Sequence, residues 1–327
     1  MTKPLYHKPE LIAFTTRENS VETLHHGWVC VLDKEKKIIY QKGNIFNHTF
    51  LRSIAKPIQA IPIIDNNLDV STKELAIISG SHSGSRKHIY VLQKFAKKHG
   101  LQLTQLQCGI HLPLDETERN RLIKKNLSPN PLHNNCSGKH LGMLAVCKTN
   151  KWDIKSYISP IHPLQKLILK RVSDLSETKK IITGIDGCSA PTFSMPIINI
   201  AKLFSNFTNQ KNNNYEKIIS AIEKNPFFMG GYNQIDTEII KCSKGKLIAK
   251  VGAEGIIIAA YNGNSAIVKI ADGSPKIRAA VLLHLLKKIK WLDNCSISGN
   301  PLLADILKGD IKNHSSKVVG KTYVLLD

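Results

Sequence analysis

The sequence lacks the features that would assign it to several special classes of protein. No stretch of about 18 uncharged apolar residues occurs, so composition excludes a membrane-spanning helix. Residues 1–9 carry no apolar run of the kind that signal peptides have. The cysteines form an odd, scattered set rather than a disulfide framework, at positions 30, 108, 136, 147, 188, 242 and 295. These absences predict a soluble, cytoplasmic protein with reduced thiols.

Arginine is scarce in a chain that is otherwise strongly basic. Lysine and arginine total 46 against 25 acidic residues, a formal net charge of +21, yet only seven of the basic residues are arginine. Recognition of phosphates and bases favours the planar fork of arginine over the point charge of lysine. The lysines also come in short runs on helix-like segments, which is typical of solvated faces. Nucleic-acid binding is therefore an alternative interpretation and not the main one.

Length and composition indicate an ordinary globular protein. A chain of 327 residues, 42% hydrophobic and 22% charged, can bury a large core without disulfides or a structural metal. No internal repeat occurs, and no linker rich in glycine, serine or proline separates parts of the chain. We predict a single domain over 1–327 with two lobes, a sheet lobe from 1–50 plus 245–327 and a helical lobe from 51–244.

Strand-forming segments lie near both ends of the sequence. The first predicted hairpin joins 27–32 to 37–40. The second joins 256–261 to 266–270 across an Asn-Gly-Asn turn, and Asn-Gly is the strongest short hairpin signal. A short closing strand is predicted at 323–326.

Most of the sequence between the hairpins has helical spacing. Apolar stripes run over 89–96 and 164–172, a later helix is predicted near 277–289, and the Asn-rich segment 206–214 is predicted to be a flexible loop. Since isolated hairpins need partners, both chain ends are expected to share one sheet. The predicted fold class is α/β of the α+β type, with an antiparallel sheet built from both chain ends and a helical lobe between them.

The first motif with catalytic chemistry is Arg52-Ser53-Ile54-Ala55-Lys56-Pro57. Residues three apart on a helix share a face, so a neutral Lys56 amine could take the proton of Ser53 and make a nucleophile without a histidine. Two other Ser-x-x-Lys spacings occur in charged, surface-like segments, whereas an apolar helical pattern follows this one. The alternative role for Ser53 is a helix N-cap.

A second motif is Ser79-Gly80-Ser81-His82-Ser83-Gly84, which follows the apolar run Ile77-Ile78. We interpret that run as a strand, so the motif becomes a strand-to-helix turn that exposes side chains and N–H groups to a ligand. A plain βα turn, with His82 in a structural role, is the alternative. Near the far end, the strand-like run 247–249 delivers Lys250 beside a glycine.

Two further segments carry sulfur. Cys136 precedes Lys139 and His140 at the start of an apolar helix, where a thiol beside a cation has a lowered pKa and suits metal binding or nucleophilic chemistry. A turn after another strand-like run carries Asp186 and Cys188. No CxxC or HExxH motif occurs in the sequence, so spacing alone indicates a metal only weakly.

Taken together and in this order, the motifs resemble the bacterial asparaginase II family, of the inducible rhizobial L-asparaginase type. The resemblance runs from the first hairpin to the Lys-Ile-Ala-Asp-Gly-Ser run at 269–274, about four-fifths of the chain. It implies a fold like that of serine β-lactamases and penicillin-binding proteins. It also implies an amidohydrolase that converts L-asparagine to L-aspartate and ammonia through an acyl-enzyme, and a homodimer.

The resemblance also implies roles for individual residues. The Ser-x-x-Lys pair falls on Ser53 and Lys56, and a second Ser–Lys pair falls on Ser81 and Lys250. Which of the two serines attacks stays open, with Ser53 preferred. The metal ligands that the resemblance implies are Cys136, Lys139 and Cys188. They would hold a zinc ion that positions or polarises rather than creates the nucleophile, with Lys139 bound as the neutral amine.

The expected substrate carries an α-carboxylate and an α-ammonium group. Because each flanks a catalytic motif, Arg52 is a candidate partner for the carboxylate and Asp186 for the ammonium, although Arg52 could instead orient its helix through a salt bridge. Ser85 stands where the family commonly has an acidic residue. The alternative functions are a related Ser–Lys hydrolase for glutamine or another amide, and a basic nucleic-acid-binding protein with structural zinc.

Overall fold

A computed structural model describes residues 7–209, 215–292 and 297–327. Their contacts divide them into two compact units. The first unit takes the described residues of 1–54, 195–210 and 238–327, and the second takes those of 55–194 and 211–237. Within these ranges, no helix is both long enough and apolar enough to cross a lipid bilayer.

Strands and helices alternate unevenly along the chain. The strands are β1 (Glu10–Arg17), β2 (Ser20–Leu32), β3 (Ile38–Lys42), β4 (His48–Phe50), β5 (Ile182–Ile185), β6 (Pro191–Pro196), β7 (Ile248–Val251), β8 (Ile256–Tyr261), β9 (Asn264–Ile270), β10 (Asp310–Lys312) and β11 (Val318–Val324). The α-helices are α1 (Lys56–Gln59), α2 (Ile61–Asp65), α3 (Thr72–Ile78), α4 (Arg86–Lys98), α5 (Glu116–Lys124), α6 (Ser137–Thr149), α7 (Pro163–Ser176), α8 (Ile197–Thr208), α9 (Glu216–Lys224), α10 (Pro226–Met229), α11 (Ile235–Cys242), α12 (Pro275–Lys288) and α13 (Pro301–Lys308). Short 3₁₀ helices cover Arg52–Ala55, Leu103–Gln105 and Pro131–His133.

The first unit is built on an eight-stranded antiparallel sheet. Seven strands follow the order β10-β11-β1-β2-β9-β8-β7, and β3 pairs with β2. Helix α8 packs on β2 and β9, and α12 packs on β8 and β9. The core side chains between them are fully buried, among them Val29, Val31, Ile257 and Leu282. The sheet thus joins both chain ends, which confirms the predicted fold class.

Both predicted hairpins are present. In the first, Val31 of β2 pairs with Tyr40 of β3. In the second, Tyr261 pairs with Asn264, which leaves Asn262 and Gly263 as a two-residue turn. Both turn residues have positive φ, 41° and 81°, as a type I′ turn requires. Strands β1 and β10 were not predicted, and the closing strand begins earlier than expected, at Val318.

The second unit is helical apart from the hairpin of β5 and β6, in which Ile182 pairs with Ser194. Helix α3 lies at its centre and contacts α4, α6, α9 and α10. Gly138 of α6 permits the closest of these approaches, because a Cβ there would lie 2.7 Å from the carbonyl oxygen of Ile77.

Two local predictions are wrong. The run Ile77-Ile78 belongs to helix α3 and not to a strand, because Ser71 and Glu74 form a reciprocal capping box that starts a helix. Residues 206–208 of the predicted flexible loop are helical, since they complete the buried face of α8. Residues 210–214 of that loop lie outside the described residues.

Candidate active site

The segment that carries Ser81 is held by backbone contacts in the second unit. The backbone N–H of Ser81 donates to the carbonyl oxygen of Met229 at 2.8 Å. The preceding Gly80 allows this contact, because a Cβ there would lie 2.3 Å from the same oxygen. Gly84 closes the segment with φ +74°, and a Cβ at that position would lie 2.9 Å from the carbonyl oxygen of His133. The segment connects two helices, α3 and α4, and not a strand and a helix.

His82 fastens this segment to the start of α6. Its Nδ1 accepts from the N–H of Gly84, so its ring proton lies on Nε2, which is 3.0 Å from Ser137 Oγ. The Ser137 hydroxyl in turn donates to the carbonyl oxygen of Leu132. Burial, together with neighbouring cations, lowers the pKa of His82 well below its ordinary value. A fully buried, neutral ring with both nitrogens bonded has the structural role that we gave as the alternative.

Lys56 directs its amine at Ser81. It is the first residue of α1 and is 1% exposed. Its Nζ lies 2.9 Å from Ser81 Oγ and 3.0 Å from the carbonyl oxygen of Asn135. The resemblance implied Lys250 as the lysine paired with Ser81, yet within the second unit that hydroxyl bonds to Lys56. A lysine amine at hydrogen-bond distance from a serine hydroxyl can exchange a proton with it directly.

Two thiols lie beside this pair. The hydrogen bond between Cys136 and Cys188 lowers the pKa of Cys136 well below its ordinary value, and the charges of Lys56 and Lys139 lower it further. The same bond, together with burial, raises the pKa of Cys188. Cys136 is therefore the thiol of the pair that more readily loses its proton and takes a negative charge.

Lys139 balances that charge. Its Nζ lies 3.0 Å from Cys188 Sγ, and the side chain is 3% exposed. Burial lowers the pKa of Lys139, but the adjacent sulfurs of Cys188 and Cys136 outweigh burial, so the net pKa is raised. These surroundings thus favour the cationic form of Lys139, and the amine has to lose its proton before it can bind zinc in the neutral form that the resemblance implies.

His140 and Tyr157 complete the buried surroundings of the thiols, and the sequence analysis assigned no role to either. The Tyr157 hydroxyl oxygen accepts from the N–H of Gln107 at 2.9 Å, so its own proton is available to His140 Nδ1 at 2.7 Å. This leaves the ring proton on Nε2, which is buried and close to Cys188. Burial lowers the pKa of His140 to about 4, so the ring is neutral near pH 7. In the sequence, the position of His140 directly after Lys139 was the signal that could have placed it beside the thiols.

Asp186 belongs to the same surroundings. It sits in the turn between β5 and β6, where its N–H donates to the carbonyl oxygen of Ala190 at 2.9 Å. Its carboxylate accepts from the N–H of Gly187, and its charge helps to raise the pKa of Lys139. The structure therefore places six predicted residues in one unit: Lys56, Ser81, Cys136, Lys139, Asp186 and Cys188.

The first unit contains the other three predicted residues. Ser53 is half-buried in the 3₁₀ helix Arg52–Ala55. Arg52 has φ +49°, and its guanidinium lies 3.5 Å from Glu254, which is the salt bridge that we gave as its alternative role. Lys250 projects from β7, is 1% exposed, and donates to the carbonyl oxygen of Val251 at 2.9 Å.

The side chain of Ser85 bonds to a histidine. Its hydroxyl lies 2.7 Å from His88 Nδ1, and His88 Nε2 donates to the carbonyl oxygen of Phe227 at 3.1 Å. The His88 ring stacks on Phe227, with ring centroids 4.7 Å apart. Here the serine therefore caps α4 and anchors the chain just before Met229, whose carbonyl holds Ser81.

The donor set beside Lys56 fits zinc on one condition. Thiolate and nitrogen donors suit that metal, and Cys136, Cys188 and Lys139 converge. Among the residues that the structure describes, no three cysteine, histidine or acidic side chains converge to hold a metal. A metal here therefore needs the Lys139 amine as a ligand, after that amine has lost its proton.

The buried lysine–serine pair is of the kind found in hydrolases that use a lysine as general base. The model of the L-asparaginase II family matches residues 13–324, nearly the whole chain. The chain therefore belongs to the L-asparaginase II family, which confirms the resemblance and supports an amidohydrolase activity.

Other comparisons add less. No curated protein matches this chain. Among solved structures, a β-lactamase from Mycobacterium bovis is 10% identical with a TM-score of 0.42, over 80% of this chain and 94% of that one.

Proposed function

We propose that this protein hydrolyses L-asparagine to L-aspartate and ammonia through an acyl-enzyme on serine, with Lys56 as the general base. The observation that carries the proposal is the 2.9 Å contact between Lys56 Nζ and Ser81 Oγ, in a chain that belongs to the L-asparaginase II family. Burial of Lys56 supports this role, because bulk water does not compete for the contact between its amine and the Ser81 hydroxyl.

The first half-reaction forms the ester. The serine hydroxyl gives its proton to Lys56 Nζ while its oxygen bonds to the side-chain carbonyl carbon of the substrate. Backbone N–H groups near the attacking serine stabilise the oxyanion. The carbon–nitrogen bond then breaks, and the amide nitrogen leaves as ammonia after it takes a proton either from Lys250, which becomes neutral, or from Ser81, which recovers a proton from Lys56.

The second half-reaction reverses these roles. Water gives a proton to the neutral lysine amine, and the oxygen of that water bonds to the ester carbon. The serine oxygen then leaves the carbon and recovers its proton. The enzyme returns to its starting protonation state, and one water is consumed for each aspartate and ammonia released. Both halves need a lysine that is neutral when the attack begins.

Two serines compete for the nucleophile. Ser53 stays our preferred choice, because the Ser-x-x-Lys motif that the resemblance implies as the catalytic pair joins it to Lys56. Ser81 is the alternative that the hydrogen bond to Lys56 supports. If Ser53 attacks, Ser81 passes protons between Lys56 and the leaving group. If Ser81 attacks, Lys56 takes its proton directly.

Parallel variants decide between the two. Ammonia release from L-asparagine and from L-glutamine is measured for wild type, Ser53→Ala, Ser81→Ala and the exposed control Ser315→Ala. Acid-quenched enzyme is then examined by peptide mass spectrometry for one added aspartyl group. Our choice is supported if wild type carries the aspartyl group on Ser53 and Ser53→Ala loses both the aspartyl group and turnover. Retention of most activity in Ser53→Ala, with loss in Ser81→Ala, assigns the attack to Ser81.

The same assay tests the substrate class. An extra methylene changes transition-state binding by only about 1–3 kcal/mol, so both amides are compared as kcat/KM. We propose Arg52 for the α-carboxylate and Asp186 for the α-ammonium group. Replacement of either should raise KM more than it lowers kcat. Ammonia release from neither amide would contradict the proposed activity, and salt-dependent binding of DNA would then favour the nucleic-acid alternative.

Zinc, a homodimer and a cytoplasmic location complete the proposal. Zinc would be held by Cys136, Cys188 and Lys139 and would act as a Lewis acid close to the substrate. Metal content should fall in Cys188→Ala and also at low pH, because protons compete for the ligands. Elemental analysis that finds no zinc in wild type would remove the metal and leave the hydrolase. Light scattering after gel filtration tests the dimer.

A further inference from the structure

A concave site lies in the second unit, apart from Lys56 and the thiols. It is a cavity of about 570 Å³, within the usual size range of small-molecule pockets. Helix α4 supplies one wall, the start of α3 supplies another, and Phe228 of α10 closes a third side. The residues that give it chemical character are Lys73, Arg86, Lys87, Tyr90, Lys94 and Phe228.

Helix periodicity aligns the wall from α4. Lys87, Tyr90 and Lys94 are spaced by three and four residues, so they form one stripe along the helix. Lys94 Nζ lies 4.5 Å from the centroid of the Tyr90 ring. Lys87 donates to the Tyr232 hydroxyl at 3.1 Å and lies 5.6 Å from the centroid of the Phe227 ring. Cations and aromatic faces are therefore interleaved on this wall.

The wall of the cavity has an excess of positive charge, with four cations against one carboxylate. The acidic lining residue is Glu74, which accepts from the Ser71 N–H and from Lys98 Nζ, both at 2.7 Å. Its charge is thus already matched by Lys98, which is not a lining residue. The four lining cations, Lys73, Arg86, Lys87 and Lys94, share the cavity with two aromatic rings.

Four cations and two aromatic rings here surround a concavity that can enclose a small molecule. Tyr90 is 57% exposed, and a flat ligand could cover much of its apolar surface. We propose that this cavity binds a small polyanion that carries a planar ring, of which a nucleoside diphosphate is the representative. The proposal does not depend on the amidohydrolase activity.

The test measures binding by the full chain in calorimetry with ADP, inorganic pyrophosphate and adenosine as probes. We expect one ADP per chain, weaker pyrophosphate, and adenosine weaker still. Affinity for ADP should fall between about 50 and about 300 mM salt, because exposed charges are screened. No binding of ADP, or pyrophosphate as tight as ADP, would overturn the proposal.

Matched variants separate the cavity from the general charge of the protein. The double variant Lys73→Glu with Lys94→Glu should weaken ADP at least about tenfold, since two attractions become repulsions. The control, Lys124→Glu with Lys125→Glu, makes the same change of net charge at the end of α5 and should change affinity less than about twofold. Tyr90→Ala should weaken ADP and leave pyrophosphate unchanged. Equal losses in the two double variants would show attraction by net charge and refute the site.

Discussion

Replacement of Gly80 by alanine tests the contact that positions Ser81. The added Cβ would lie 2.3 Å from the carbonyl oxygen of Met229 and 2.7 Å from its Cα. These are backbone atoms, so no side-chain rotation can relieve the overlap and the chain around Met229 has to move. Overpacking of this kind costs about 1–3 kcal/mol. Loss of the hydrogen bond from Ser81 adds about 0.5–1.5 kcal/mol.

The expected loss for Gly80→Ala is therefore about 2–4 kcal/mol in the free energy of unfolding, measured by urea titration. At about 2.1 cal/mol/K for each of the 327 residues, a loss of about 3 kcal/mol lowers Tm by about 4 °C. Turnover should fall as well, because the movement displaces Ser81.

Gly187→Ala is the matched control for this variant. A Cβ at Gly187 would meet nothing within 4 Å, so this substitution should leave stability unchanged or raise it slightly. If Gly80→Ala unfolded within about 0.5 kcal/mol of wild type, the contact with Met229 would not constrain the chain, and the reasoning would fail.

Three further perturbations have defined outcomes. Lys56→Met keeps the apolar stem but removes the amine, and should lower kcat for ammonia release by about 10²–10⁴-fold with the circular dichroism unchanged; a loss below tenfold would argue against a general base at this position. Burial lowers the pKa of His88 to about 4, whereas the unfolded chain binds that proton near pH 6.5. Stability should therefore fall by about 3 kcal/mol as pH drops from about 6.5 to about 4, and His88→Gln should lack this part of the loss in parallel urea titrations. Gly263→Ala places a side chain at φ +81° in the β8–β9 turn and should cost about 1–2 kcal/mol, which the same titration measures; an unchanged midpoint would show that the turn tolerates a β-carbon.

Prediction from sequence succeeded where local chemistry and burial agree. The Asn262-Gly263 turn needs positive φ at both residues, and few residue types accept that conformation, so the hairpin could be located within two residues. The helix α7 begins at Pro163 as its sequence indicates. Helix α3 was misread because Ile77-Ile78 is a short apolar run that fits either a strand or a buried helix, and only the Ser71–Glu74 cap distinguishes them.

The sequence proposed residues for the candidate site but could not give the contacts between them. Ser-x-x-Lys spacing pointed to Lys56, yet the bond from Lys56 to Ser81 joins positions 25 apart and depends on how α1 packs beside the turn after α3. The raised pKa of Lys139 also escaped sequence reasoning, because it depends on the adjacent sulfurs of Cys188 and Cys136. The roles of His88 and Tyr157 arise from buried hydrogen bonds that no spacing reveals.

The four-residue helix α10 has a consequence for how the two sites communicate. Phe228 lines the basic cavity, and the next residue, Met229, offers the carbonyl that holds Ser81. If a ligand in the cavity displaces Phe228, the adjoining peptide has to move with it, and occupancy of the cavity is then linked to the position of Ser81. Linkage is reciprocal: an amide substrate that favours one position of Ser81 changes affinity in the cavity by the same factor. The coupling free energy is then obtained from ADP titrations with and without bound L-aspartate.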